Sequence, residues 1–230
     1  MRATFLIAGN FLREQRWYVV LLLVWVFGVA GILGLAGKPA GDDVMFFVRQ
    51  QAGYGLALTT FMAAAAIQND RRSRRILSIL SKAVERREYL AGLLAGSVLL
   101  SVMFFTATAL AASALSLRLG WATSAAWEFA LPLIAAGALL ASIALFFATF
   151  LHPLLATLAT AVTVGAQLAL ERALGGGPMF DIARSLAAFH FQPQWHWPLG
   201  AACLAIAEAV ILWLAAARIF ALRDIAVAVE

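Results

Sequence analysis

Several stretches of this sequence run for about twenty residues or more with few or no charges, and water cannot accommodate them. A helix needs roughly 20 apolar residues to cross about 30 Å of hydrocarbon. By uncharged length the sequence predicts six crossings, at about 17–36, 44–67, 89–117, 129–151, 154–170 and 198–217. The second has Arg49 near its start, and the third is overlong, so it must tilt or begin along the membrane surface. The apolar run 129–170 is far too long for one crossing, and His152-Pro153 divides it, because proline breaks a helix and disfavours helix at the residue before it. Hydrophobic residues make up 63% of the chain and charged residues 13%, against roughly 45–50% and about 25% in soluble domains. The expected class is therefore an all-α membrane protein, with one transmembrane domain over residues 1–230. At this length no large soluble domain is expected beside it, so a water-borne catalytic module would sit on another chain.

The basic residues orient these spans. The segment before the first span holds Arg2, Arg13 and Arg16, and the last stretch holds Arg218 and Arg223. The stretch from Gln68 to Glu88 holds Arg71, Arg72, Arg74, Arg75, Lys82, Arg86 and Arg87. Twelve of the 17 basic residues thus fall in three segments, which six spans place on one face. Lys and Arg accumulate on the cytoplasmic side, so a multi-pass protein of the cell (inner) membrane with both termini cytoplasmic is expected. A single crossing by 129–170 would move the C-terminus to the other face. The net charge of +5 fits cytoplasmic loops and anionic headgroups rather than nucleic acid. The first apolar run lacks an A-x-A-like cleavage site at its end and is expected to be a retained span. Cys203, the only cysteine, lies in an apolar run, so no intrachain disulfide is possible.

Within Gln68–Glu88, Ile76, Leu77, Ile79, Leu80, Ala83 and Val84 recur at helical spacing, with Arg72, Arg75, Lys82 and Arg86 largely off that stripe. This pattern fits a short amphipathic helix flat on the inner surface, or a basic loop that only sets topology. Residues 3–16 carry Phe5, Leu6, Phe11 and Leu12 with Arg13 and Arg16, and fit an N-terminal interfacial helix or a topology-setting tail. Between the fifth and sixth runs lies Gly175-Gly176-Gly177-Pro178, then an amphipathic stretch, then Phe189, Phe191, Trp195 and Trp197. Such aromatic density suits a headgroup belt. His190 and His196, six apart, fit no standard zinc or haem spacing.

A charge at mid-bilayer costs roughly 3 kcal/mol or more. Glu208, inside the sixth run, therefore either lines a polar path, partners Arg49 or another span, or is a hydrogen-bonded packing residue. Gln167 and Thr157, Thr160 and Thr163 fit hydrogen bonding between helices, with Gln167 a second candidate for a polar path. Gly92 and Gly96 form a small-xxx-small pair that permits close helix approach. The sequence has no HExxH, Walker A or GxSxG motif and no paired intramembrane aspartates, so no enzymatic chemistry is expected on this chain.

The run from Leu77 to Gly96, LSILSKAVERREYLAGLLAG, resembles the signature loop of ABC-2-type transporter permeases. Asp70 stands where that family has its acidic residue. Ile79-Leu80-Ser81-Lys82 corresponds to its "LL-S-K" portion, Arg86 or Arg87 to its arginine, and Glu88-Tyr89-Leu90-Ala91-Gly92 to "e-y-l-l-G". Ala83 stands where proline is usual and Leu93 where lysine is usual. The resemblance implies six transmembrane helices, an N-terminal interfacial amphipathic helix, and a cytoplasmic coupling helix between spans two and three. It implies the permease subunit of an exporter, paired with a second permease copy as a homo- or heterodimer. Each copy would bind a separate ABC ATPase subunit, which carries the ATP and Mg; no cofactor is expected on this chain. Asp70, Arg75, Ile76, Ile79, Leu80, Lys82, Arg86, Arg87 and Glu88 would form the ATPase-coupling surface, with the apolar members as its main anchors. Partners would be the ATPase, the second copy and membrane lipids, with no nucleic acid. The alternative is a non-transporting membrane scaffold or an accessory subunit of a membrane complex.

Overall fold

The computed structural model describes residues 2–35, 41–72, 84–188 and 198–222, and every regular element among them is an α-helix. In chain order these are α1 (Arg2–Glu14), α2 (Arg16–Leu35), α3 (Gly41–Arg72), α4 (Arg86–Leu119), α5 (Ser124–Ala148), α6 (Pro153–Leu174), α7 (Pro178–Ala188) and α8 (Leu199–Leu222). Five of them, α2, α4, α5, α6 and α8, are long and apolar enough to cross a membrane. The second expected span, α3, is helical throughout its 32 residues but too polar to join them, with Asp42, Asp43, Arg49, Gln50 and Gln51 toward its start. It packs against α4, α5 and α6, and its other face leaves Phe46, Tyr54 and Phe61 exposed.

The helices outrun the apolar stretches. α3 continues past Ile67 to Arg72, α6 continues through Glu171 and Arg172, and α8 continues through Arg218. α4 has 34 residues, about 51 Å at 1.5 Å per residue. Its end is set by Gly120, which adopts a left-handed φ of 69°. The Gly120 N–H bonds the Leu117 carbonyl and the Trp121 N–H the Ser116 carbonyl, the Schellman pattern that satisfies trailing carbonyls. Gly175 (φ 81°) ends α6 in the same way. Between α5 and α6 the chain breaks where proline requires. His152 is extended and Pro153 opens α6, where its missing N–H costs nothing. The single run 129–170 is thus two helices, which pack against each other.

Buried apolar residues form three clusters along the bundle. One gathers Ile7, Phe11, Ile67, Tyr89, Leu90, Leu145 and Phe220, from α1, α3, α4, α5 and α8. This is the end where Arg13, Arg16, Arg71, Arg86, Arg87 and Arg218 lie, so the described members of the three basic segments share one end of the bundle. At the opposite end, one cluster joins α2 to α5 around Phe47, Phe105 and Leu133. The other joins α5, α7 and α8 around Leu139, Met179 and Ala205. α5 belongs to all three clusters and is the central helix.

The N-terminal amphipathic helix is present as α1. It lies along the start of α4, where Gly92 and Gly96 make room for it. A Cβ on Gly92 would sit 2.6 Å from the Cβ of Ile7, and one on Gly96 would sit 2.7 Å from the Phe11 ring. Phe5 and Leu6 point away from this seam, at 74% and 73% exposure. The amphipathic stretch after the three glycines is α7. Most of the expected coupling helix, residues 73–83, lies outside the described residues; of its flanks, Arg72 ends α3, Val84 is in no helix and Arg86 opens α4.

Candidate functional site

Two polar arrangements are built into this apolar bundle. The first stands at the basic end, on both sides of the segment 73–83. Asp70, in the last turn of α3, is buried. The hydroxyl of Tyr89, in the first turns of α4, donates to its Oδ2 at 2.7 Å. Tyr89 is itself fully buried and stacks on Phe220 of α8, with ring centroids 6.0 Å apart. One turn earlier, Arg86 Nη1 donates to the carbonyls of Phe220 and Ala221, each at 3.0 Å. These carbonyls lie in the last described turn of α8, and a guanidinium suits the negative end of a helix dipole. The ends of α3 and α8 and the start of α4 are therefore held together by four side chains. Burial raises the Asp70 carboxyl above its ordinary value, and the Tyr89 hydrogen bond pulls it part of the way back.

Of the residues expected to contact an ATPase, Asp70 and Arg86 face inward into this junction. Arg87 is exposed and forms an ion pair with Glu85. Glu88 is half-buried in the first turn of α4. Arg75, Ile76, Ile79, Leu80 and Lys82 lie outside the described residues. Tyr89 and Phe220, which hold the junction together, have no polar pattern that would single them out in the sequence.

The second arrangement lies between α6 and α8, toward the opposite end. Gln167 Nε2 donates to Glu171 Oε1 at 2.8 Å and to Glu208 Oε2 at 3.0 Å. One neutral amide thus spends both of its N–H groups on two carboxylates. Glu171 is buried, and its other oxygen receives the Phe180 N–H at 2.6 Å, so it caps the N-terminus of α7. Glu208 and Gln167 line an open cleft of about 400 Å³ whose walls include Ile143, Phe147, Thr163 and Ile211. The structure brings the two predicted polar residues together but does not pair Glu208 with Arg49. Arg49 instead donates to the Ala187 carbonyl at 2.7 Å, closing the C-terminal end of α7. Sequence reading missed Glu171; its i, i+4 spacing from Gln167, just before the glycine run, is the signal that marks it.

Arg118, the third arginine of this kind, donates to the Gly34 carbonyl at the end of α2. Arg49, Arg86 and Arg118 each cap a helix other than their own. Thr157, Thr160 and Thr163 bond the carbonyls four residues back within α6, rather than a neighbouring helix. Among the described residues no cluster of three or more His, Cys, Asp or Glu side chains is placed to hold a metal ion. Comparison with family models, with curated proteins and with solved structures finds no match to this chain.

Proposed function

We propose that this chain is the membrane-embedded permease subunit of an ABC exporter, working with a separate ATPase subunit and a second permease copy. In this reading α2, α3, α4, α5, α6 and α8 are six spans, and both termini face the cytoplasm. The polar α3 packs against α4, α5 and α6 on one side and presents Phe46, Tyr54 and Phe61 on the other. The reading is supported by the resemblance of Leu77–Gly96 to the ABC-2 signature loop and by the gathering of basic residues at one end. The observation that carries it is the anchoring of both flanks of 73–83. Asp70 before the segment and Tyr89 after it are bonded to each other, and Arg86 and Tyr89 hold the end of α8. A partner that docks on this segment would push on α3, α4 and α8 together. A coupling element needs that property to turn ATPase closure into movement of the spans.

The test is co-purification with a co-expressed ATPase subunit. Wild-type chain is expected to retain the ATPase and to stimulate ATP hydrolysis. The Ile79→Asp/Leu80→Asp double variant is expected to lose both while still folding. Retention of the ATPase by that variant would remove 73–83 as the coupling surface. Absence of any ATPase partner for the wild type would leave the scaffold reading.

A further inference from the structure

The basic end of α8 carries a second cleft, of about 570 Å³, where the helix leaves its apolar stretch. Its floor is apolar, formed by Trp213 and Leu214, and its rim holds Arg86, Arg87, Arg218 and Glu85. Further along α8, Val210, Ile211 and Leu214 are exposed and continue the apolar floor toward the opposite end of the bundle. The arginines differ in what occupies them. Arg86 is spent on the α8 carbonyls. Arg87 pairs with Glu85, but both side chains are largely exposed, at 70% and 55%, and such a pair is worth little and is readily exchanged. Arg218 is exposed and has no ion pair or hydrogen bond among the described residues.

We infer that this cleft binds one anionic phospholipid, with its phosphodiester between Arg218 and Arg87 and its acyl chain along Leu214, Ile211 and Val210. The charge balance of the rim, three arginines against one glutamate, favours an anion. The order of surfaces along α8 selects a lipid: guanidinium groups stand at the end of the helix, a tryptophan comes next, and an exposed aliphatic track follows. A soluble phosphate would use only the rim and would gain nothing from the track. An acidic protein surface would reach the rim but not the floor. Basic pockets between membrane helices recognise anionic headgroups in this manner. The inference needs only a bilayer around the bundle and stands apart from the exporter reading.

Trp213 lines the cleft and reports directly on its occupant. The intact chain is reconstituted in phosphatidylcholine with a small fraction of phosphatidylglycerol brominated on its acyl chains. The Trp213 signal is the difference between wild type and Trp213→Phe. Brominated phosphatidylglycerol is expected to quench this signal about ten-fold more effectively, per mole fraction, than brominated phosphatidylcholine. Arg87→Gln/Arg218→Gln is expected to abolish the preference, and Arg87→Lys/Arg218→Lys to keep most of it. Native mass spectrometry of the detergent-solubilised chain gives a reading independent of tryptophan: retained phosphatidylglycerol for wild type, none for the double glutamine variant. Equal quenching by the two lipids would overturn the inference, as would a preference that survives in the glutamine variant. Displacement by soluble glycerol phosphate would also overturn it, because the ligand would then be free phosphate.

Discussion

The Tyr89 hydroxyl donates to Asp70 Oδ2 at 2.7 Å, across a junction in which both side chains are buried. Removing the donor leaves a desolvated carboxyl without that partner. Tyr89→Phe, which keeps the stacking on Phe220, is expected to cost about 1–3 kcal/mol. Equilibrium unfolding in mixed micelles measures it. A loss below about 0.5 kcal/mol would show that the hydroxyl contributes only the ordinary surface increment.

The same junction fixes a pH dependence. Burial raises the Asp70 carboxyl above 3.8 in the folded chain, so the folded state favours the protonated acid. Its stabilising contribution is complete below the unfolded value and is lost as pH rises through the raised folded value. Asp70→Asn keeps an oxygen acceptor for Tyr89 without the charge. The variant is expected to be more stable than wild type at neutral pH and to lose this part of the acid-side slope. Tyr89→Phe is expected to shift the slope to higher pH, because the bond that lowers the carboxyl is gone. Melting temperature against pH for the three proteins decides it. A slope unchanged in Asp70→Asn would assign the titration to another group.

At Gly92 there is no space for a side chain, and the obstructing atom is the Cβ of Ile7, 2.6 Å from where a new Cβ would stand. A branched residue held by its own helix cannot move aside alone, so Gly92→Ala should displace α1 from α4. The expected cost is about 1–3 kcal/mol, with a longer spin-label distance between the two helices. Gly9 meets nothing within 4 Å, so Gly9→Ala serves as the control and should leave that distance unchanged.

Much of the fold could be read from the sequence because lipid imposes a length. The apolar runs fell within a few residues of α2, α4, α5, α6 and α8, and Pro153 marked the break between α5 and α6. Helix ends were less legible. Charge marks where hydrocarbon should stop, whereas α3 and α6 continue through Asp70 and Glu171 because the backbone there remains hydrogen-bonded within its helix. The amphipathic pattern of residues 3–16 gave α1 but not its seat, since the receiving Gly92 and Gly96 lie far away in sequence. The candidate site was partly legible. Gln167 and Glu208 stand out as polar residues in apolar runs, while Glu171 lies just past the expected end of its run at 170, where nothing in the apolar pattern marks it. The Arg86 cap on α8 depends on contacts 134 and 135 residues apart, which no local pattern encodes.

Arg86 should matter through α8 rather than through its charge at the surface. Its Nη1 holds both the Phe220 and Ala221 carbonyls, and a bond from a charged donor is worth about 1.5–3 kcal/mol. Arg86→Gln is expected to loosen the last turn of α8, with amide exchange over 218–222 rising about ten-fold or more. Exchange at the far end of α8, around Ala201 and Ala205, should not change. Uniform acceleration along α8 would instead mean that the whole helix had detached.

The Glu171 network gives the sharpest contrast between a positioning role and simple packing. A Cβ on Gly177 would lie 2.4 Å from Glu171 Cγ and Cδ and 2.7 Å from Oε2, the oxygen that accepts the Phe180 N–H. Gly177→Ala should therefore push the carboxylate off α7 without touching Gln167 or Glu208 directly. Gln167→Leu cuts the network from the other side and leaves both carboxylates without their shared donor. Hydrogen bonds between membrane helices average about 0.6 kcal/mol and reach about 1.7; the Gln167–Glu208 coupling, from a double-mutant cycle with Glu208→Leu, should fall near the top of that range. If the three groups act as one network, Gly177→Ala will lower that coupling, because a displaced Glu171 no longer fixes the amide. A coupling that is the same in the Gly177→Ala background would reduce Glu171 to a local cap of α7, independent of the cleft beside Glu208.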